Sequence, residues 1–556
     1  MSLPLVAGLV LVTLALGYRF YGRFISRQFA LSKTTPTPAH RLEDGVDFVP
    51  TKPFYLFGQH FSAIAAAGPI VGPILAGQQF GWAPALLWIV FGVIFIGAVH
   101  DFTALVASVR HDAKSIAEVV KQNLGSRAWL AILGFMWLAL VYVIVAFVDV
   151  TASTFVTGDA DAQGLDFRFN QGGAVALAAM LYLLLALVMG VVQRYLKAPL
   201  WLTTIIFVPL AFAVVWLGSQ YSTVLLADWR TWVLLIMAYC FLASLAPMWL
   251  LLQPRGYLGG FVLYAALAVG TIGIFFGGFE IQRPAFRGFD TGGDTGLLFP
   301  FLFVTIACGA CSGFHGLVCS GTTSKQIDRE DHCHPIGYGA MLLEAFVAVI
   351  ALATIMIVAP GGPNQGPNAI YASGLGAFLE RILGIDPLVA TTFGAMALST
   401  FIFDTLDSAT RLGRYILQEL SGRNDRVTAY AATAATVGVP LLFLLAADQG
   451  SYKLFWTLFG TSNQLLAALS LLAITVWLRK LGKPVWFTLA PMLLVFAVTL
   501  VSLVLQIRFL ARATFGTAPW INGLVSVVLL ALALVLVGYA ARAWRTGARP
   551  PNGLGG

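Results

Sequence analysis

Charged side chains are the scarcest class of residue in this chain. Only 10% of its 556 residues are Asp, Glu, Lys or Arg, whereas 59% are hydrophobic and the mean hydropathy is +0.84. Soluble domains carry about 25% charged residues, so the composition excludes an ordinary globular enzyme and predicts a polytopic membrane protein. The net charge of +8 is spread over short loops, without the basic cluster that nucleic-acid binding requires.

Motifs for nucleotide or hydrolytic chemistry are also missing from the sequence. It contains no GxxxxGK[ST] phosphate loop, no HExxH and no GxSxG. ATP-driven transport and intramembrane hydrolysis are therefore not expected, and no cofactor is predicted. The five cysteines lie mostly in or beside apolar runs, which argues against a disulfide framework. Gradient-driven transport is the class that remains.

Apolar runs close to the ~20 residues that cross a bilayer occupy most of the chain. They predict an all-α protein with about fifteen spans, at residues 3–24, 54–78, 83–107, 127–156, 172–195, 197–218, 231–252, 258–278, 297–319, 336–358, 388–410, 427–446, 453–478, 485–506 and 519–541. The first run lacks a small-residue cleavage site and is interpreted as a retained span. Most Lys and Arg residues fall on alternate loops, which predicts a periplasmic N-terminus and a cytoplasmic C-terminus.

Two of the predicted spans carry helix breakers. The span 54–78 contains Gly68-Pro69 and Gly72-Pro73, and the span 231–252, which runs in the opposite direction, contains Pro247. Paired breaks in the first helices of two five-helix units are typical of inverted-repeat transporters. Proline kinks packed against neighbouring helices are the alternative. The predicted division of the chain is an N-terminal helix and loop, two five-helix repeats and four C-terminal helices, at residues 1–53, 54–218, 231–410 and 427–541.

Broken helices expose backbone groups that can bind a substrate or an ion. A second polar segment, residues 305–328 (TIACGACSGFHGLVCSGTTSKQID), is rich in Gly and Cys and carries a histidine at membrane depth. The predicted substrate-binding residues are Ala67, Gly68, Gly72, Pro247, Ser312 and His315.

Candidate coupling-ion residues divide into two groups. His60, Asp101 and His315 favour proton exchange, although a structural role for His315 stays open. The hydroxyls of Thr322, Thr323 and Ser324, with carbonyls near Ala67 and Gly68, could form a sodium site, although a helix-end cap is the preferred explanation of the same residues. Protons are favoured over sodium as the coupling ion.

Two further groups have simpler explanations. Cys311, His315 and Cys319 recur every four residues and are weak metal candidates, but two turns spread them about 12 Å apart and no metal is predicted. Asp404, Asp407 and Arg411 are expected to form a gate or a structural ion pair, with Asp407 and Arg411 paired at four-residue spacing. Arg255 is expected at the cytoplasmic surface.

Long motifs between residues 58 and about 467 resemble the carbon starvation protein A family of bacterial inner-membrane transporters. The matching segments are GQHFSAIAAAGPIVGPILAGQ, GAVHDFTAL, PMWLLLQPRGYL, FPFLFVTIACGACSGFHGLVCSGTTSKQI, PIGYGAMLLE, DTLDSATRLGRYILQEL and LFGTSNQLLA. The resemblance implies an APC-superfamily, LeuT-like 5+5 inverted-repeat core with one N-terminal and about four C-terminal extra helices. It also implies uptake of pyruvate or peptides under carbon starvation, with proton symport as the coupling. One departure is His100, where family members often carry Gln.

The favoured hypothesis is therefore secondary active import of pyruvate or a similar small carboxylate by cation symport. Compact unwound backbone facing small residues suits such a substrate. Uptake of di- and tripeptides is the alternative within the family. A passive channel and a membrane nutrient sensor are the alternatives from other classes.

Overall fold

The fold is described by a computed structural model that covers residues 2–44, 48–65, 67–156, 169–247, 249–359, 366–423, 425–510, 512–515 and 517–545. These residues are helical apart from turns, loops and two isolated β-bridges. The helices are α1 (Leu3–Phe29), α2 (Pro38–Arg41), α3 (Pro53–Ile64), α4 (Gly68–Phe80), α5 (Trp82–Arg110), α6 (Ile116–Leu124), α7 (Ser126–Phe155), α8 (Gln171–Tyr195), α9 (Leu200–Gln220), α10 (Trp229–Leu245), α11 (Leu252–Phe276), α12 (Leu298–Thr305), α13 (Gly313–Gly321), α14 (Glu330–Met356), α15 (Pro367–Leu383), α16 (Pro387–Ser421), α17 (Arg426–Leu445), α18 (Tyr452–Lys480), α19 (Trp486–Leu510) and α20 (Ala518–Arg545).

Helices of membrane-spanning length and composition dominate the part of the chain that is described. Twelve single helices meet that standard, and the bent pair α3 and α4 makes a thirteenth. This confirms an all-helical membrane protein, while the total of about fifteen spans stays a prediction. Two predicted spans fall short of the standard, because α10 has only 17 residues and the run 297–319 is divided between α12 and α13.

The first break lies before the Gly-Pro pairs rather than across them. Helix α3 ends at Ile64 and α4 begins at Gly68, with Pro69 in its first turn and Pro73 inside it. Proline suits the first helical turn because its missing N–H would have no partner there. The prediction that Gly72-Pro73 interrupts the helix is therefore wrong, and these residues belong to the helical half.

The second predicted break, at Pro247, is present. Helix α10 ends at Leu245, and α11 begins at Leu252, so Pro254 and Arg255 lie in its first turn. A third break was not predicted. Helix α12 ends at Thr305 and α13 begins at Gly313, which leaves non-helical backbone in the middle of a predicted span.

Helix α18 lies in the interior of the bundle although it follows the predicted ten-helix core. In its most apolar window 94% of the residues are buried, compared with 28% for α1. It packs against α12, α13 and α7, so the non-helical segment between α12 and α13 is enclosed by α4, α5 and α18. Freed backbone at membrane depth is tolerated only when protein or a cavity surrounds it, and here protein surrounds it.

Candidate functional site

The two broken spans α3–α4 and α12–α13 contact each other directly. A Cβ atom at Gly68 would lie 2.4 Å from Sγ of Cys308, and one at Gly72 would lie 2.5 Å from the carbonyl oxygen of Thr305. Ala67, Gly68 and Gly72 are all buried. Only glycine permits this approach, so three of the predicted substrate residues lie where the two breaks meet, in a packed contact.

A cluster of buried ionisable side chains lies just beyond this contact. Asp101 on α5 accepts from two imidazoles, at 2.8 Å from Nδ1 of His100 and 2.9 Å from Nδ1 of His315. Nε2 of His315 lies 3.4 Å from Oε2 of Glu344 on α14. These four residues are at most 1% exposed. The cluster therefore links α5, α13 and α14 through groups that can gain and lose protons.

The tautomers in this cluster follow from its geometry. Because Asp101 is an acceptor, Nδ1 of His100 and of His315 must each carry hydrogen. In a neutral imidazole Nε2 then bears a lone pair, so Nε2 of His315 presents an acceptor to the Glu344 carboxyl group. A single proton can lie between these two atoms, or leave and make both groups acceptors. The pair therefore brings two titratable groups within 3.4 Å of each other inside the bundle.

His60 extends the cluster along α3. Its Nδ1 lies 2.9 Å from Oγ1 of Thr323, and the His60 side chain is 1% exposed. The other two hydroxyls predicted for sodium bond to helix carbonyls instead, Thr322 to Val318 at 3.1 Å and Ser324 to Ser320 at 3.2 Å. The helix-cap alternative therefore describes Thr322 and Ser324, whereas Thr323 faces His60.

Several buried polar atoms in the cluster lack a hydrogen-bond partner among the described residues. They are Nε2 of His60, Nε2 of His100 and both carboxyl oxygens of Glu344. Buried polar groups are almost always satisfied by protein or water, and exceptions call for an explanation. Here the unsatisfied atoms belong to three titratable side chains on three different helices, which suits transient occupation by protons or water.

The cysteines do not join His315 in a ligand set. Because α13 begins at Gly313, Cys311 lies in non-helical backbone and does not share a helix face with His315 and Cys319, contrary to the sequence-based expectation. Both ring nitrogens of His315 face carboxylates. Within the described part of the chain, no group of three or more His, Cys, Asp or Glu residues has metal-binding geometry.

A second ionisable cluster lies at the break between α10 and α11. Arg255 is 1% exposed and lies 2.7 Å from Oδ1 of Asp404 and 2.8 Å from Oδ2 of Asp407. Its Nη1 also donates to the hydroxyl of Tyr239, which in turn donates to Asp407 at 2.9 Å. The expectation that Arg255 lies at the surface is wrong, because its position in the first turn of α11 directs it towards α16.

Arg411 has a different partner from the one predicted. It donates to the carbonyls of Ala243 and Ala246, both at 2.9 Å, and so caps the broken end of α10. Asp407 pairs with Arg255 and not with Arg411, so the predicted four-residue ion pair is wrong. Pro247 directly follows this capped end, at the break between α10 and α11.

Comparison with known proteins decides the family. The model for "Carbon starvation protein CstA" matches residues 2–365 and 362–502. The chain belongs to the CstA family. It is 34% identical to the peptide transporter CstA of Campylobacter jejuni, over 87% of this chain and 77% of that protein. It is 32% identical to the peptide transporter CstA of Bacillus subtilis, over 96% and 95%.

Another relative of this CstA-family chain carries a different name. The pyruvate/proton symporter BtsT of Escherichia coli is 31% identical over 91% of this chain and 81% of its own length. These relatives are transporters, and membership places the chain with transporters and not with enzymes, as the sequence predicts. Among solved structures, a manganese transporter of Eremococcus coleocola aligns with a TM-score of 0.47 and 14% identity, over 91% of this chain and 99% of that one.

This CstA-family member has an open cavity beside the end of α12. Its volume is about 280 Å³, and its lining residues are uncharged: Leu75, Gln78, Gln79, Thr295, Thr305, Trp456 and Thr457. Thr305 is the last residue of α12, so the cavity touches the start of the third break. The cavity therefore reaches the layer where α4 and α12 meet.

Three side chains that adjoin the site are not among the predicted site residues. His100 and Glu344 complete the buried ionisable cluster, and Asn463 on α18 contacts Ser312, with Nδ2 and Oγ 3.1 Å apart. His100 and Glu344 carry a usable signal, since each is an ionisable residue inside an apolar run. Asn463 has the same signal in weaker form, but its helix lies outside the predicted core.

One buried carboxylate has a purely structural setting. Asp149 accepts from the indole of Trp229 at 2.9 Å and from the backbone N–H groups of Gly450 and Tyr452 at 3.3 and 2.5 Å. Its oxygens are thus used to join α7, α10 and the start of α18. This arrangement explains a charge at membrane depth without a role in transport.

Proposed function

We propose that this chain is a secondary active transporter that imports pyruvate, or a similar small carboxylate, together with protons. The observation that carries the proposal is the close approach of two buried titratable groups, Nε2 of His315 and Oε2 of Glu344, which lie 3.4 Å apart. Imidazole is the side chain best suited to proton exchange near neutral pH. The name of BtsT, a pyruvate/proton symporter, agrees with this assignment.

Protons are favoured over sodium by the surroundings of the candidate residues. A sodium site needs several oxygen atoms converging on one point, whereas the three candidate hydroxyls point to helix carbonyls or to His60. The His315–Asp101 pair, by contrast, is already built from groups that titrate. Asp101 serves as the fixed acceptor that orients His315, in the way that carboxylates orient catalytic and metal-binding histidines.

The substrate site in this proposal is the contact between the two breaks. Ala67, Gly68 and Gly72 would face Ser312 and His315 once the packed contact opens. We propose that the repeats 54–218 and 231–410 move against each other around this point in the alternating-access manner of LeuT-like transporters. Pro247 belongs to the Arg255 region and is left out of the substrate site.

The proposal also includes the membrane in which the protein lies, its orientation there and the condition in which it is used. We place it in a bacterial inner membrane with a periplasmic N-terminus, a cytoplasmic C-terminus and a role during carbon starvation. In this proposal Asp404, Asp407 and Arg411 form a structural anchor. The two carboxylates bind the buried Arg255, and Arg411 caps the end of α10.

Uptake of short peptides is the second candidate function. The cavity of about 280 Å³ supports it, since at ~30 Å³ per water it would hold about nine waters, more room than a small carboxylate fills. Its uncharged polar lining suits a zwitterion, and two of the relatives described above are named peptide transporters.

The deciding experiment is uptake of labelled pyruvate by proteoliposomes under an imposed proton gradient, a sodium gradient or neither. Unlabelled di- and tripeptides serve as competitors. We expect accumulation with the proton gradient alone, and we expect Glu344→Gln to lose it. Accumulation driven only by sodium would contradict proton coupling, and labelled peptide accumulation without pyruvate uptake would select the second candidate.

The same experiment separates the other classes. A passive channel cannot concentrate a carboxylate without a membrane potential, so accumulation under a proton gradient with the potential held at zero excludes it. A sensor binds its ligand without flux, so binding measured by calorimetry with no uptake of pyruvate or peptide would favour that alternative.

A further inference from the structure

Helix α18 presents one polar side to the third break. Trp456, Gly460, Asn463 and Gln464 follow each other at intervals of four, three and one residues, which places them on one face of a helix. All four are buried. Amides inside an apolar helix generally bond to a neighbouring helix, and the side-chain hydrogen bonds of Asn463 and Gln464 fall on the segment 303–314.

The first two contacts satisfy carbonyl groups at the end of α12. Nε2 of Gln464 donates to the carbonyl of Phe303 at 2.8 Å, and the indole N–H of Trp456 donates to the carbonyl of Thr305 at 3.1 Å. The last four carbonyls of a helix have no partner within it. Two of these four therefore find their donors on α18.

Asn463 satisfies the other side of the break. Its Oδ1 accepts from the backbone N–H of Phe314 at 2.9 Å, and its Nδ2 lies 3.1 Å from Oγ of Ser312 and 3.2 Å from Sγ of Cys308. The N–H of Phe314 is one of the first-turn donors of α13 that lack a helical acceptor. Asn463 thus acts as an N-cap for α13 supplied by another helix, and no cap is provided by the side chain of Ser312 itself.

Glycine on each side brings the two segments into backbone contact. A Cβ atom at Gly460 would lie 1.9 Å from the carbonyl oxygen of Val304, and one at Gly313 would lie 2.4 Å from the carbonyl oxygen of Asn463. Neither position has room for a side chain. The start of α13 is therefore held against α18 by backbone packing as well as by the amide.

We propose that Asn463 is a positioning residue for proton coupling, and that α18 is part of the transport core. His315 directly follows Phe314, whose N–H bonds to Asn463, so the amide fixes the turn that places His315 between Asp101 and Glu344. This inference rests on the proposed proton-coupled function. A shift of α13 relative to α18 must break the Asn463 contacts, so they hold the proton site in one of its arrangements.

The test compares Asn463→Ala with a matched control, Asn522→Ala. Asn522 on α20 is also a buried amide that accepts one hydrogen bond, from Tyr142 at 2.8 Å, but it lies away from the break. Both variants are expected to lower the Tm of the purified protein. Only Asn463→Ala is expected to reduce proton-driven uptake about tenfold to a hundredfold, because displacing a reactive group by about 1 Å has effects of that size.

The decisive measurement is pH dependence, which a loss of general stability does not change. For Asn463→Ala we expect the pH midpoint of uptake to move, and the pH dependence of Tm to change towards that of His315→Gln. For Asn522→Ala we expect the wild-type pH midpoint and a uniform decrease in Tm. A wild-type pH midpoint and uptake rate per folded Asn463→Ala protein would overturn the proposal.

A second variant covers the case in which Asn463→Ala does not fold. Asn463→Ser keeps a small polar side chain without adding a charge, but its hydroxyl is too short to reproduce the amide contacts with Phe314, Ser312 and Cys308, so we expect it to fold with a moved pH midpoint. An unmoved midpoint in this variant would also overturn the proposal. If the wild-type protein takes up neither substrate with protons, the proposed function fails, whereas the Tm comparison still tests Asn463 because it needs no substrate.

Discussion

The two buried ionisable clusters of this protein differ in what their charges can do. In the first, His60, His100 and Glu344 hold atoms that have no hydrogen-bond partner among the described residues. In the second, Nη2 of Arg255 and Oδ1 of Asp407 also lack a hydrogen-bond partner in the described part of the chain, but they belong to ion pairs in which Arg255 binds both Asp404 and Asp407. A guanidinium stays protonated at every physiological pH, so the second cluster has a permanent charge to neutralise its carboxylates.

The comparison indicates that the two clusters suit different roles, one in holding helices together and the other in exchanging a proton. A cluster organised by arginine keeps the same charge throughout a transport cycle and suits an anchor. A cluster organised by histidines can change its charge by one proton while remaining buried, which is the property that coupling requires.

The largest expected effect comes from removing the permanent charge. Arg255→Met leaves two buried carboxylates without a cation, and we expect it to reduce the free energy of unfolding by about 3–5 kcal/mol. Loss of the monodisperse protein peak in detergent and a lower Tm are the measurements. The control is Arg329→Met, whose arginine pairs with Asp331 at the surface and should be dispensable.

The triple variant Arg255→Met, Asp404→Asn, Asp407→Asn sharpens this result. Neutralising all three groups removes the uncompensated charge, so it should be more stable than Arg255→Met alone. If the single variant were as stable as the wild type, the cluster would not be an anchor.

The next effect is on coupling and not on folding. Glu344→Gln removes one partner of the exchangeable proton, so we expect proton-driven accumulation to be lost while exchange of internal for external substrate continues. Uptake and counterflow in the same proteoliposomes measure the two activities. Asp149→Asn is the matched variant, since it alters a buried carboxylate whose oxygens are occupied by structural donors. The folded fraction of Asp149→Asn should keep proton-driven accumulation. Full accumulation by Glu344→Gln would show that Glu344 is not part of the proton site.

A smaller effect tests whether glycine at the first break serves packing. Gly68→Ala places a Cβ atom 2.4 Å from Sγ and 2.5 Å from Cβ of Cys308, and we expect severalfold slower transport. Cys308→Gly removes both atoms, so the double variant should recover transport. Gly134→Ala, where the added methyl meets no atom within 4 Å, should behave as the wild type. Failure of the double variant to recover would show that Gly68 has a role beyond making room for Cys308.

The smallest effect separates two neighbouring threonines. Thr323→Val removes the hydrogen bond to His60, and we expect a moderate move in the pH midpoint of uptake with little change in the maximal rate. Thr322→Val removes only a bond to its own helix and should leave the pH profile unchanged. Identical profiles for the two variants would exclude His60 from the pathway of the proton.

Much of the helical plan could be predicted from the sequence, because a run of about 20 apolar residues has few alternatives in a membrane. The location of the breaks was harder to predict. Pro69 and Pro254 lie in the first turn of a helix, so each proline marks where a helix begins and not where one ends. The break at 306–312 contains no proline, and the backbone groups freed at its two ends find partners on α18, which no local pattern reveals.

The site was predicted in part. Asp101, His315 and His60 could be found because an ionisable residue in an apolar run is rare. Their partner Glu344 is harder to assign, since it meets His315 only after distant helices pack together, and the same holds for Arg255 and its partners Asp404 and Asp407. The Asp407–Arg411 prediction failed for the same reason: four-residue spacing allows a local pair, but a buried arginine from another helix was the stronger partner.

The burial of all five cysteines has a practical consequence. A membrane-impermeant maleimide should find few reactive thiols on the native chain, so single cysteines introduced into loops could be labelled without first replacing the natural ones. Labelling from outside intact cells, at a loop position such as Asp290 and at one such as Asp328 in separate variants, would then establish which end of the bundle faces the periplasm.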